Sequence, residues 1–204
     1  PATALSDPDP VVRAAAAISL AARPAPERLA GLAPLLDDPL RAVRISAARG
    51  LADLPDDALP PGRRMLRRQG LVDFVAAQQA MADMPSAQVN LALLQFELGK
   101  PQAAETHYRR AIAQDPANIE ARSVHAFMAL QKEDFQTALV RWRAMLPLLE
   151  QGSARHAMVE RSIEYAEQQL KQRGMAVTAA PAAQGAQAGQ GSAQVVAVKE
   201  GEYP

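Results

Sequence analysis

The sequence predicts an all-α fold, a right-handed solenoid of about nine helices stacked as pairs. Three observations lead there. "LSDPDPVVRAAAAISLA" at residues 5–21 recurs as "LDDPLRAVRISAARGLA" at residues 36–52, so Leu5 in one copy stands where Leu36 stands in the next. Further along, a second and slightly longer period aligns Ala92 with Ala126, Ala104 with Ala138 and Tyr108 with Trp142. Apolar residues make up 49% of the 204, yet aromatics only 4%. Alanine supplies much of the difference, and a small, strongly helix-forming side chain suits closely spaced helices.

In each copy of the first repeat, Asp-Pro (Asp7-Pro8, Asp38-Pro39) is a helix-entry signal. The aspartate would accept from orphan N–H groups, and proline suits a first turn. Val12, Ala16 and Leu20, then Val43, Ala47 and Leu51, recur at helical spacing and give one apolar stripe per helix. "PERLAGLAPLLDD" between them reads as a second, antiparallel helix ending near Leu36. Pairs entering on D-x-x-x-V-R-x-x-A-A resemble HEAT repeats, which assigns residues 1–54 to HEAT-like units. Residues 55–84, with a long helix over Pro61–Met84, read as a joint.

Residues 85–150 carry the longer period. Asn90-Leu91-Ala92, Gly99, Ala104, Tyr108, Ala111 and Pro116 stand where the tetratricopeptide (TPR) pattern places its small, aromatic and turn residues. The second copy, Ile119–Leu149, is degenerate: His125, Glu133, Met145 and Glu150 replace the leucine, glycine, alanine and proline, and its second helix is expected to run on toward Glu150. Residues 151–174 read as a capping helix with Ser153 as N-cap and Gly174 as C-cap. Residues 175–204 are Ala/Gln/Gly-rich and are expected to be a disordered tail, because they bury too little to offset the entropy of ordering.

Composition closes several classes of function. There are 22 basic and 22 acidic residues, so no bulk charge draws the chain to nucleic acid. Cysteine is absent. Disulfides, thiolate zinc sites, iron–sulfur clusters and C-x-x-C-H haem attachment are therefore excluded within this chain. No apolar run approaches a membrane span. H-E-x-x-H, G-x-S-x-G and Walker patterns are missing, and "GAQAGQGS" lacks the strand and helix that a phosphate loop needs. The chain begins at Pro1, so its start is expected to be processed or excised.

The order of HEAT-like pairs, a proline-containing joint and TPR units resembles the C-terminal region of bacterial multihaem c-type cytochromes with HEAT and TPR repeats. The stretches carrying this are "LLDDPLRAVRISAARGLADLP", "LPPGRR" and "NLALLQFELGKPQAAETHYRRAIAQDP". "DFQTALVRWRAMLPLLEQGSARHAMVERSIEYAEQQL" is in turn similar to periplasmic TPR proteins that hold an apocytochrome during c-type cytochrome maturation. Both resemblances imply an exported, periplasmic location and a c-type cytochrome as partner, with haem only in a region or partner outside this chain. A cytoplasmic location stays open.

The residues themselves suggest a noncatalytic protein-interaction scaffold. First helices of TPR units line a groove, here Val89, Asn90, Leu93 and Phe96 from one unit and Ser123, Phe127 and Leu130 from the next. Such a groove is apolar with one amide, and suits an apolar or amphipathic segment; core packing of Phe96, Phe127 and Leu130, or cover by the 153–173 helix, explains the same residues. Arg63, Arg64, Arg67 and Arg68 form a basic docking patch, or a solvated face partly neutralised by Asp56 and Asp57. His107, His125 and His156 are read as packed or groove histidines rather than metal ligands. Three functions stay open: a docking segment of an exported c-type cytochrome, a TPR chaperone for an apocytochrome segment, and the docking region of an enzyme whose catalytic domain lies elsewhere.

Overall fold

The computed structural model describes residues 3–177. Among them the fold is all-α: nine α-helices joined by short turns and 3₁₀ segments, with no strand. The low-complexity tail and its glycine-rich stretch lie outside the described residues. The chain divides into two compact units, the first ending at Ala104 and the second beginning at Glu105, and each is described by itself.

The first unit contains α1 (Pro10–Leu20), α2 (Ala25–Leu32), α3 (Arg41–Gly50), α4 (Pro61–Gln79) and α5 (Pro85–Glu97). Both copies of the repeat start in the same way, although not as simple caps. Asp7 Oδ1 accepts from Asp9 N at 2.8 Å and Asp38 Oδ1 from Leu40 N at 2.9 Å, so each Asp-Pro builds an Asx turn ahead of its helix. The residue that caps α1 is Asp9, whose side chain accepts from Val11 N. At α3 the cap position holds Leu40 and has no side-chain bond. An arginine six residues after each aspartate then folds back on the turn. Arg13 Nη1 donates to the Asp7 and Pro8 carbonyls at 2.8 and 3.1 Å, and Arg44 Nη1 to the Asp38 and Pro39 carbonyls at 2.7 and 2.9 Å. The remaining nitrogens of Arg13 link the two copies, donating to both Asp38 oxygens at 2.8 and 3.0 Å.

The helix expected to end near Leu36 stops at Leu32. Proline at position 34 has no N–H to continue the ladder, and Pro34–Asp37 forms a 3₁₀ turn instead. α3 packs between α1 and α4, where Leu32, Leu36, Val43, Ala47, Ala48, Leu51, Leu71 and Val75 form the interior. The approach of α4 to α3 is close enough that a Cβ on Gly70 would stand 2.5 Å from Ala48 Cβ. Equivalent stripe positions are not equally covered: Val43 is 0% exposed, Val12 38%. The long helix of the joint ends at Gln79, short of the expected Met84.

The second unit holds α6 (Pro101–Gln114) from Glu105 onward, α7 (Ile119–Gln131), α8 (Phe135–Met145) and α9 (Ala154–Gln172). α7 opens on Asn118, whose side chain accepts from Ala121 N, and α8 on Asp134, which accepts from Thr137 N. α8 does not run on toward Glu150. With Pro147 in its path it closes at Met145 in a 3₁₀ turn, Leu146–Leu148. α9 opens on the expected Ser153 cap, which accepts from His156 N at 3.1 Å, and Gly174 follows at φ +65°. α8 packs against both α7 and α9, burying Ala126, Ala138, Leu139, Trp142, Met145, Val159, Ala166 and Leu170. Beside this core, the ring of Phe135 meets Tyr165 edge-on at 6.3 Å and lies under the Arg173 guanidinium at 4.5 Å.

Candidate functional site

In the second unit an apolar groove runs between α7 and α9, a hollow of about 560 Å³. Its floor is Trp142 and Met145 of α8, both buried; Trp142 stands where the longer repeat places its large aromatic, and Met145 where it places an alanine. Ser123 and Phe127 of α7 form one wall, Met158 and Val159 of α9 the other, with Arg155 among the lining residues. Phe127 is 48% exposed and Met158 60%. Other large apolar side chains of the chain are as exposed, Met65 at 71% and Ile18 at 66% among them; what sets Phe127 and Met158 apart is that they line one shared hollow. Ser123 commits its hydroxyl to the backbone of α7, donating to Ile119 O at 2.7 Å.

Of the seven residues read as groove-lining, Ser123 and Phe127 therefore share one hollow. Leu130 packs against the core of the second unit. In the first unit Val89 is a correction: it is 5% exposed and belongs to the interior. Asn90 is exposed, but its Nδ2 already donates to Gln78 Oε1 at 2.9 Å. Leu93 is half-buried and Phe96 exposed at the end of α5. α9 is a wall of the hollow rather than its lid. Its contribution was missed in the sequence because Met158 reads equally well as the packed stripe of a capping helix.

The basic docking patch is also corrected. Arg67 is 5% exposed, and its Nη1 donates to the Leu51 and Leu54 carbonyls at 3.1 and 2.7 Å while Nη2 meets Asp56. Arg68 Nη2 holds the other Asp56 oxygen at 2.7 Å, Arg64 Nε donates to Leu59 O at 2.7 Å, and Arg63 donates to Ala33 O. The ends of α2 and α3 and the turns before α4 leave carbonyls with no helical partner, and the arginines donate to them. They brace the first turns of α4 against the segments that precede it.

A polar cluster joins α6, α7 and α8. Glu105 accepts from Arg141 Nη2 at 2.7 Å and Lys132 Nζ at 2.8 Å, and stands 3.3 Å from His125 Nε2. Hydrogen bonds from Lys132 and Arg141 hold its carboxyl down at about 2. Burial, reinforced by the Arg141 charge, lowers His125 to about 4, so its ring is neutral at neutral pH. Arg141 Nη1 also donates to the His125 carbonyl at 2.6 Å, tying α8 to α7. Burial likewise lowers His107. His156 does have a carboxylate four residues on, with Nδ1 3.3 Å from Glu160, a pair the sequence reading passes over.

The fold and this groove define a helix-repeat protein whose exposed apolar surface lies between helices. Its first part matches the family described as HEAT repeats over residues 2–82. A stretch of 62 residues, 30% of this chain, is 39% identical to "Cytochrome c-type biogenesis protein CcmH" of Escherichia coli K12 and covers 18% of that protein. "Putative cytochrome c-type biogenesis protein CcmH" of Haemophilus influenzae is 38% identical over 63 residues, 31% of this chain and 14% of its own length. The chain thus spans less than a fifth of these curated relatives. No solved structure matches at comparable significance. Among the described residues no helix is long and apolar enough to cross a membrane.

Proposed function

We propose that this chain is a noncatalytic protein-interaction module that holds an apolar helical segment of a c-type cytochrome polypeptide before haem attachment, in an exported compartment. The observation carrying this reading is the α7–α9 groove, where Phe127 and Met158 stand exposed over a Trp142 and Met145 floor. Apolar anchors spaced along a groove between helices accept the apolar face of an amphipathic helix. A chaperone of this kind needs affinity for an unfolded client and no chemistry of its own. No haem, metal or other cofactor is required of this chain.

The similarity to the two biogenesis proteins supports the maturation reading over a docking segment of a multihaem cytochrome, since the relatives it brings forward are biogenesis proteins. That role belongs to the relatives, and the short shared stretch brings it to this chain as a proposal. The HEAT-like front is proposed as a scaffold for the same assembly.

The test is capture of a haem-free c-type cytochrome, with its haem-loaded form as control, by the wild-type chain and by Phe127→Asp and Met158→Asp variants. The expected result is selective capture of the haem-free chain, reduced at least tenfold by either substitution. Equal capture of both forms, or undiminished capture by the variants, overturns the reading.

A further inference from the structure

A second hollow in the second unit, of about 340 Å³, is formed by α6, α7 and α8 and is separate from the α7–α9 groove. Its floor is carbon: Ile112 and Ala113 from α6, Val140 and Ala144 from α8. Three arginines border it, Arg109, Arg122 and Arg141, one from each helix. Their hydrogen bonds are distributed unequally. Arg141 is committed to Glu105 and the His125 carbonyl. Among the described residues Arg122 uses only Nε, donating to Pro116 O at 2.6 Å. Arg109 is exposed and makes no hydrogen bond or ion pair among the described residues. The carboxylate bonded in this region, Glu105, is already occupied by Arg141 and Lys132.

We propose that this hollow binds an apolar group ending in a carboxylate, the alkyl part on the Ile112–Val140–Ala144 floor and the carboxylate on Arg109 and Arg122. Each half of the chemistry needs the other. A bare inorganic anion leaves the carbon floor wet, and a neutral apolar group leaves Arg109 and the terminal nitrogens of Arg122 to water. A guanidinium receives a carboxylate through paired N–H donors, which fixes the orientation of the group as well as holding it. Neutral His125 beside the hollow adds no competing charge at neutral pH. Two sources supply such a group, a fatty acid or the last residue of a polypeptide with an apolar side chain.

The site is independent of the client groove, and its test does not involve a cytochrome. Amide chemical shifts of the ¹⁵N-labelled chain are followed on titration with octanoate, octanol, inorganic phosphate, acetyl-Val-Leu and acetyl-Val-Leu amide at constant pH and salt. At least one free carboxylate, octanoate or acetyl-Val-Leu, is expected to bind about tenfold more tightly than its neutral counterpart, with shifts at residues 109–113, 122–125 and 140–144. Tighter binding of octanoate points to a lipid source and tighter binding of the dipeptide to a polypeptide end. Arg109→Gln removes no bond of the fold, so its melting temperature should stay unchanged while carboxylate affinity falls about tenfold. Ala144→Trp fills the floor and should abolish binding of all the apolar probes. Equal affinity for acids and their neutral counterparts, shifts confined to the α7–α9 groove, or an Arg109→Gln variant that binds unchanged would overturn the proposal.

Discussion

Arg13 Nε and Nη2 grip the two carboxylate oxygens of Asp38 in the next copy of the repeat, while Arg13 Nη1 closes the turn of its own copy. One side chain thus shapes the entry of one helix and fixes the distance to the next. The Arg13 bonds hold the Asp38 carboxyl below the usual range despite its burial, and the Leu40 amide adds to the effect. The carboxylate of Asp7, the equivalent residue in the first copy, accepts only the local turn amide of Asp9 among the described residues.

The two aspartates should therefore respond differently to the same substitution. Asp38→Ala leaves a guanidinium and a turn amide without their acceptor, at a cost of about 2–4 kcal/mol. Asp7→Ala loses a local turn alone and should cost about 0.5–1 kcal/mol. Urea denaturation of both variants measures the difference, and equal losses would show that the link between copies adds nothing.

Stability should fall with acid in two stages traceable to the Glu105 cluster. His125 is lowered to about 4, so between its ordinary value near 6.5 and 4 the unfolded chain binds a proton that the folded chain refuses. Glu105 is lowered to about 2, so its contribution is complete above its ordinary value near 4.5 and disappears between there and 2. Each stage is worth at most about 3 kcal/mol. Thermal melts against pH should show His125→Gln flattening the upper stage and Glu105→Gln the lower. An unaltered pH profile in either variant contradicts the assignment.

Glu133 occupies φ +56°, at the position equivalent to Gly99 of the preceding repeat, which sits at φ +71°. The degenerate repeat keeps the left-handed turn without the residue that adopts it freely. Relieving that conformation is worth about 1 kcal/mol. The ion pair from Glu133 to Arg173, 2.7 Å long and solvent-exposed, is worth less. Glu133→Gly should thus raise stability by about 0.5 kcal/mol, whereas Glu133→Ala, which keeps the strain and loses the pair, should lower it. Calorimetric melting of the two variants separates them by sign.

Gly70→Ala should destabilise the first unit by about 1–3 kcal/mol. The added methyl would meet Ala48 Cβ at 2.5 Å and the Arg44 carbonyl at 3.1 Å, and neither can rotate away. Pairing it with Ala48→Gly should recover part of the loss. Failure to recover any would show that the Arg44 backbone, not the Ala48 methyl, sets the spacing.

The helical class was legible in the sequence because it depends on local spacing. A stripe every three or four residues, Asp-Pro before it and a small residue at a crossing need no knowledge of neighbours. Tyr108 and Trp142, equivalent positions of successive repeats, are accordingly both buried. The helix ends near Leu36 and Glu150 were misread because the apolar pattern continues through Pro34 and Pro147, while the backbone there lacks the N–H that a helix requires.

The sequence by itself determined an all-helical chain, HEAT-like at its front, since helix class follows from periodicity and propensity. Only the tertiary structure decided what the polar and exposed residues do. Arg63, Arg64 and Arg67 read as surface charge until the carbonyls of Ala33, Leu59, Leu51 and Leu54 are seen beside them. Val89 and Phe127 carry the same apolar signal, yet one is buried and the other lines a groove. The reason is physical: a side chain's hydrophobicity is its own property, but what covers it, or which unpaired group it can reach, belongs to the neighbours that folding brings to it.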